Sequence, residues 1–471
     1  MHSFGSPTGS AAISSRLDRL PRSRYLRGLV TRISIGGLFE LYDLFMTGYI
    51  AVGLIRAGIF TATTRGLFDG KSFASFIASG FAGMFLGTLV FSRLSDRLGR
   101  RTMFTVSLLW YSSATLVMAF MSSAWAIDLW RFICGLGIGV QLVTISSYIT
   151  EITPRSARGR YIAYSQFISY LGVPLVAAIS LLAIPHRLWG LEGWRFVAIA
   201  GSLGAVFAGF LRLRLPESPR WLEAHHRPTE AEGVMALMER QIMQETGAEL
   251  PLPGPAVEDA APRHTSPTSP ISWSEIWKAG YRRRTLMLTV FNAFQAIGYY
   301  GFAAWVPVLL LSEGIEVTRS LTYVLVIACL NPFGSLIAMR FADVVQRKWQ
   351  IVSLALIVAV CGLLWAQQRH ALGILLFGSI ITLANSWFSS ALHTYQAELF
   401  PTRIRAQAVG FVYSWSRFTS IFAGFLIAAV LQRAGTTGVF AVVATAMAVV
   451  AIVVSIFGPD SNHLGLEELS G

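Results

Sequence analysis

Apolar stretches of roughly 20 residues recur along most of the chain, separated by short hydrophilic connections. Each is long enough to cross a hydrocarbon core about 30 Å thick at about 1.5 Å per residue. The pattern predicts twelve spans, at 31–56, 72–92, 103–123, 127–150, 159–183, 194–213, 285–311, 319–341, 350–367, 371–400, 406–430 and 437–457. Inside lipid every backbone N–H and C=O must be satisfied within its own segment, so these spans are expected to be helices. The expected fold class is an all-α membrane protein, with two pseudo-symmetric six-helix bundles.

Composition agrees: of 471 residues, 54% are hydrophobic and 13% charged, about half the charged share of an ordinary soluble domain. Cys134, Cys329 and Cys361 lie far apart in apolar runs, which gives neither a disulfide framework nor metal-ligand spacing. The net charge of +13 is spread over the connections rather than gathered on one face, so it argues topology, not nucleic acid. With both ends on the cytoplasmic side, roughly 28 Lys and Arg fall on that side and roughly 8 on the other; Arg131 and Arg417 lie inside spans.

The expected organisation is a basic cytoplasmic tail (1–30), a first bundle (31–213), a cytoplasmic linker (214–284), a second bundle (285–457) and a short cytoplasmic tail (458–471). The first 30 residues have no short apolar region with a small-residue cleavage site, so they do not read as a signal peptide. The middle of the linker, PLPGPAVEDAAPRHTSPTSP, is expected to be disordered, and TEAEGVMALMERQIM and ISWSEIWKAGYRRR to be amphipathic helices at the membrane surface.

The halves repeat each other. SRLSDRLGRR after span two, with Asp96, Arg100 and Arg101, matches RFADVVQRKW after span eight, with Asp343, Arg347 and Lys348. YITEITPRSARG after span four matches YQAELFPTRIRA after span ten, which sets Glu151 and Arg158 against Glu398 and Arg405. Both motif pairs share an offset of 247 positions, the mark of a duplicated six-helix unit.

These residues resemble the major facilitator superfamily over nearly the whole chain. SRLSDRLGRR is similar to the family's cytoplasmic signature, with Ser92 where glycine is usual. RFICGLGIG, the Glu151–Gly159 stretch, GWRF, PESPRWL and a degenerate GPDSNHLGLEEL resemble the sugar porter branch and its proton-coupled relatives. The resemblance implies that Asp96, Arg100, Arg101, Glu151 and Arg158, with Asp343, Arg347, Lys348, Glu398 and Arg405, form a cytoplasmic gate; a solvated loop obeying the positive-inside rule would explain only the arginines.

GLFELYDLF places two carboxylates, Glu40 and Asp43, one helical turn apart near the middle of span one. A carboxylate there costs about 2.5–3.5 kcal/mol on insertion scales, and two on one face raise each other's proton affinity, so the pair reads as a proton site. In the related porters the aspartate of this helix responds to protons together with an arginine of span four. The resemblance thus assigns proton coupling to Asp43 and Arg131, and the phosphate-symporter version of the motif would add Glu40. The alternative is that either acid only pairs with Arg131 to permit insertion.

Arg417, about eleven residues into span eleven, has no neutralising partner on its own helix, and its planar fork suits a carboxylate or phosphate on a substrate. The alternative is an interhelical pair with Glu40. Gln166, Tyr170, Asn292, Gln295, Tyr299, Asn385, Trp387 and His393 are the remaining candidates for a central cavity. Span seven has one glutamine where sugar porters carry a pair, and no acid where phosphate symporters carry one, which weighs against hexose and inorganic phosphate. GLGIG follows no strand, so its glycines are expected to permit close helix approach rather than to hold a dinucleotide.

No Walker sequence, metal set or nucleophile–base pair is present, so neither an enzyme nor an ATP-driven pump is expected, and no cofactor. The expectation is a monomeric secondary transporter in a bacterial inner membrane, whose partners are a small solute, protons and lipid. Proton symport of a small organic anion is preferred. A sugar or phosphate transporter, and a transporter-like sensor, are the alternatives.

Overall fold

The computed structural model describes residues 10–65, 69–212, 215–251, 273–341, 345–400 and 402–459. Its helices are α1 (Ser10–Asp18), α2 (Arg24–Tyr49), α3 (Ala51–Arg56), α4 (Phe73–Leu98), α5 (Arg100–Met118), α6 (Ala124–Ile152), α7 (Arg158–Tyr170), α8 (Gly172–Ala183), α9 (Gly193–Arg212), α10 (Pro219–Ala224), α11 (Pro228–Thr246), α12 (Ala279–Ala303), α13 (Val306–Ser312), α14 (Val317–Ala328), α15 (Asn331–Phe341), α16 (Arg347–Ala366), α17 (Ala371–Glu398) and α18 (Thr402–Phe457). Among the described residues the only sheet is a two-residue hairpin, Arg187–Leu188 with Leu191–Glu192.

Each expected span falls on one helix or on two helices joined across a short break. Three of the four broken spans carry a proline just past the break, Pro174, Pro307 and Pro332, where the missing N–H and the ring interrupt the helical ladder. The last two expected spans share α18, which leaves helical geometry at Gly435 (φ 61°, ψ −164°). Ile427 and Val443, eight residues to either side, both approach Gly301, so the chain doubles back there. By length and hydropathy alone, eight described stretches can cross a membrane, or nine if the bent pair α12–α13, angled at 57°, counts as one.

Helices α2–α9 build one half and α12–α18 the other, with one apolar core running through both. The GLGIG glycines do what close approach requires: a Cβ on Gly135 would lie 2.3 Å from the Gly80 carbonyl oxygen, and one on Gly139 would lie 2.4 Å from that of Met84. The end of the bundle that carries the linker and both termini is called the linker end below, and the opposite end the far end. At the far end the halves touch: a Cβ on Gly48 would lie 2.7 Å from the Ala304 carbonyl oxygen, and Phe73 meets Trp305 edge-on at 5.4 Å.

The linker end is more ordered than the expected tail and surface helices. The first 30 residues are not only a basic tail: Ile13, Leu17 and Leu20 bury an apolar face against α10 and α11, and α2 begins at Arg24, capped by Ser23. Helix α11 covers TEAEGVMALMERQIM and buries Ala231, Met235, Met238 and Ile242 at helical spacing in the same cluster. Glu239 binds both Arg16 (2.7 Å) and Arg19 (2.5 Å), while the Glu245 carboxylate accepts from the Arg24 and Tyr25 amides at the start of α2. Of ISWSEIWKAGYRRR, only Trp273–Trp277 is a separate helical turn; Tyr281–Arg284 already belongs to α12. The expected disordered middle of the linker lies, but for Pro251, outside the described residues.

Candidate substrate and proton site

Helix α2 delivers both carboxylates to the interior, where Glu40 is 3% and Asp43 4% exposed. They point to different neighbours. Asp43 Oδ2 accepts from Arg131 Nη1 at 2.6 Å, and Oδ1 from the Thr115 hydroxyl at 2.9 Å. Arg131, 2% exposed, also donates to the Asp43 carbonyl at 3.1 Å and to the Thr47 hydroxyl, and lies over the Phe76 ring. The Cys134 thiol sits 3.5 Å from Asp43 Oδ2 and 3.2 Å from Thr115. The pair is therefore held by α2, α5 and α6 of one half, with the carboxylate met on both oxygens. Sequence reasoning took Cys134 for packing and passed over Thr115; a hydroxyl in an apolar run gives no sign of which helix it faces.

Glu40 lies within electrostatic range of Arg417 and Tyr300 across the interface between the halves. Arg417 is 4% exposed, its guanidinium lies 4.5 Å from the centre of the Tyr413 ring, and its Nη1 has no hydrogen-bond partner among the described residues. Around it stand His393, edge-on to Tyr413 at 5.1 Å, and Tyr299 and Tyr300, at 5.1 Å from each other. Phe81 of the first half meets Tyr300 at 4.6 Å, and Tyr170 lies within hydrogen-bond reach of Tyr299 and Ser389. Tyrosines from both halves, Tyr170 buried and Tyr299, Tyr300 and Tyr413 partly so, thus gather around one buried cation. Tyr413 was not anticipated, although it precedes Arg417 by one helical turn.

Four amide or aromatic candidates have other partners or none here. Asn292 donates to the Leu288 carbonyl and to Gln396, tying α12 to α17. Gln295 donates to Ser416 at 3.1 Å, beside Arg417. Trp387 turns away from the centre, stacking on Phe341 and donating to Gln350, because its position on α17 faces α15 and α16. Gln166, half-buried on α7, makes no hydrogen bond among the described residues. Asn385 instead lines a cleft shared with Tyr299, which lies between α2 and the second half.

At the linker end the repeat reappears as geometry. Arg100 donates to Glu151 at 3.2 Å and Arg347 to Glu398 at 3.1 Å, the same pair displaced by the sequence offset. Tyr148 and Tyr395, also equivalent, each donate to a proline carbonyl, Pro216 and Pro459, where the chain leaves each half. Both ion pairs lie within a half. The Arg101 amide, with that of Arg100, donates to Glu217, which caps α5; burial holds this carboxyl above its ordinary range, against the pull of those amides. Lys348 lies over the Trp349 ring at 5.4 Å, and Arg158 is half-buried at the start of α7. Asp343 and the side chains of Asp96 and Arg405 lie outside the described residues.

A family model, sugar (and other) transporter, matches residues 29–471. A putative metabolite transport protein of Bacillus subtilis is 32% identical, with 97% of each chain covered. The niacin transporter of Acinetobacter baylyi is 27% identical, covering 97% of this chain and 99% of its own. Among solved structures, the inward-open xylose transporter XylE of E. coli superposes with a TM-score of 0.73 at 18% identity, over 94% of this chain and 99% of that one.

Proposed function

Because the chain belongs to the sugar (and other) transporter family, and is thus an all-helical membrane transporter rather than an enzyme, we propose that it couples entry of a small organic carboxylate to entry of a proton. Arg417 carries the reading. It is a buried guanidinium at the interface of the halves, with one nitrogen unmet and an aromatic wall around it, and it offers a carboxylate a charge-assisted hydrogen bond in a low-dielectric site. The similarity to a niacin transporter supports the class, since niacin is a small aromatic carboxylate. Hexose is disfavoured because Asn292 and Gln295, the amides a sugar would call on in this helix, already bond to Gln396 and Ser416.

In the proposed cycle, Glu40 is the internal anion that Arg417 faces before substrate arrives. A proton on Glu40 leaves the guanidinium for the substrate carboxylate. A proton on Asp43 removes the charge that holds Arg131 to α2 and α5, and so loosens the first half for rocking. The closed far end matches a state that opens toward the linker end, which the positive-inside count makes cytoplasmic. Alternating access then reopens the far end around the same site. The pairs Arg100–Glu151 and Arg347–Glu398 brace each half during that motion. One proton with one monovalent carboxylate carries no net charge, so the pH difference drives the cycle, and each pH unit contributes about 1.4 kcal/mol, enough to concentrate solute about tenfold.

The test is uptake by the purified monomer in sealed proteoliposomes with an imposed inward proton gradient. Accumulation of a carboxylate that collapses with a protonophore, and is lost in Asp43→Asn, supports the reading. Uptake unaffected by the gradient or by that substitution defeats proton coupling, and a sensor would move no solute at all.

A further inference from the structure

The cleft beyond Tyr299 is not accounted for by a carboxylate on Arg417. Its walls are Phe45 and Tyr49 of α2 and Tyr299, Phe302, Val324, Thr382 and Asn385 of the second half, so it lies at the interface and is mostly apolar and aromatic. Asn385 is 5% exposed and its Oδ1 is closed off with no hydrogen-bond partner; among the described residues its amide makes no hydrogen bond at all. Other buried amides nearby keep at least one bond: Asn331 accepts from Ser386, and Asn292 donates to Gln396 although its own Oδ1 is unmet. An orphaned amide in a mostly apolar, aromatic cleft is costly for a fold to keep, and it is met when a ligand supplies the missing partner.

Helix α17 fixes the spacing. Asn385 and His393 are eight residues apart, about 12 Å along the axis, and His393 packs on the Tyr413 ring that carries the Arg417 guanidinium. A ligand with its carboxylate at Arg417 would have to extend along α17 to meet Asn385 with its opposite end, its middle against Tyr299, Phe45 and Phe302 of the cleft. An amide offers one acceptor and donors side by side, and a hydroxyl both donates and accepts. We propose that the substrate is a hydroxylated aromatic carboxylate whose hydroxyl lies at the end remote from the carboxyl, and that Asn385 reads that hydroxyl while Arg417 holds the carboxylate.

This rests on the carboxylate reading of Arg417, and the test separates the two. Binding of benzoate, 4-hydroxybenzoate and 4-methoxybenzoate is measured by titration calorimetry on the full-length purified transporter and on its Asn385→Leu, Asn385→Thr and Arg417→Gln variants. The expected result is a preference of at least about tenfold for 4-hydroxybenzoate over benzoate, most of it lost by the methoxy compound, which cannot donate. In Asn385→Leu the preference falls to about twofold or less while benzoate binding is kept; Asn385→Thr retains part of it. A wild-type protein indifferent to the hydroxyl, or a preference that survives Asn385→Leu, overturns the role of Asn385 and leaves Arg417 intact. Equal binding to Arg417→Gln, or no binding of any of the three, overturns the carboxylate reading and this inference with it. The methoxy comparison needs no variant, so misfolding of Asn385→Leu leaves it decisive.

Discussion

Two arginines are buried near the centre of this transporter, one in each half, and they differ in whether a carboxylate touches them. Arg131 is neutralised at contact: Asp43, the Asp43 carbonyl and Thr47 accept from its two terminal nitrogens and Phe76 covers its face, while its Nε has no acceptor among the described residues. Arg417 is provided for only in part, with Tyr413 beneath it, Glu40 at a distance and one nitrogen unmet. A charge pair that is neutralised within one half suits a switch, because everything that changes when it opens lies in the protein. A cation left short of an acceptor at the interface suits a site that a visiting anion completes. The difference lies in the partners, since the two residues are alike in type and in depth.

The contrast breaks most sharply on stability. Asp43→Asn, which leaves Arg131 buried beside a neutral amide, is expected to cost about 3–5 kcal/mol and several degrees of Tm, and to abolish gradient-driven accumulation. Asp43→Asn combined with Arg131→Gln is expected to recover most of that Tm without recovering accumulation, as thermal unfolding and uptake would show. Arg417→Gln should do the reverse, with a small change in Tm and carboxylate affinity weakened about 10- to 150-fold, the worth of a hydrogen bond to a charged group. If both single variants unfolded alike, the distinction between switch and ligand site would be lost.

A smaller effect is expected at the far end. Gly48→Leu cannot seat against the Ala304 carbonyl, so the closed far end is disfavoured, and a cysteine probe placed there should label faster than in the parent protein. The smallest effect serves as a control on pH. Burial, opposed by Arg220, raises the Glu223 carboxyl in the linker from 4.5 to about 7. The folded state therefore binds this proton more tightly than the unfolded chain, and the stability it adds below pH 4.5 is lost as pH rises through 7. The group is partly exposed to water, so screening reduces the effect to at most a degree or two of Tm. Glu223→Gln should flatten that slope while leaving the pH profile of uptake unchanged, which isolates the contribution of Asp43.

Most of the fold was legible because hydrophobic length and charge placement are one-dimensional signals. The 247-residue offset set Arg100 and Glu151 against Arg347 and Glu398, which pair in the same way, and the resemblance to proton-coupled porters brought Asp43 together with Arg131. What could not be read was direction around a helix axis. Trp387 and Asn385 are two positions apart on α17, about 200° around the axis, so one faces the neighbouring helices and the other the cleft. Apolar surroundings on every side leave no periodicity to tell such positions apart. The start of α2 was misplaced for a related reason: Arg24 and Arg27 look like tail residues until α1 and α11 are seen to shelter that turn.

The Glu245 contact with the first two amides of α2 has a mechanical meaning. The segment that joins the halves grips one end of the rod whose other part bears Glu40 and Asp43, about 24–29 Å along its axis. Anything that tugs on that segment, whether a fused tag, a nick by a protease or a docked cytosolic protein, would be felt at the acids as a shift or tilt of a stiff lever.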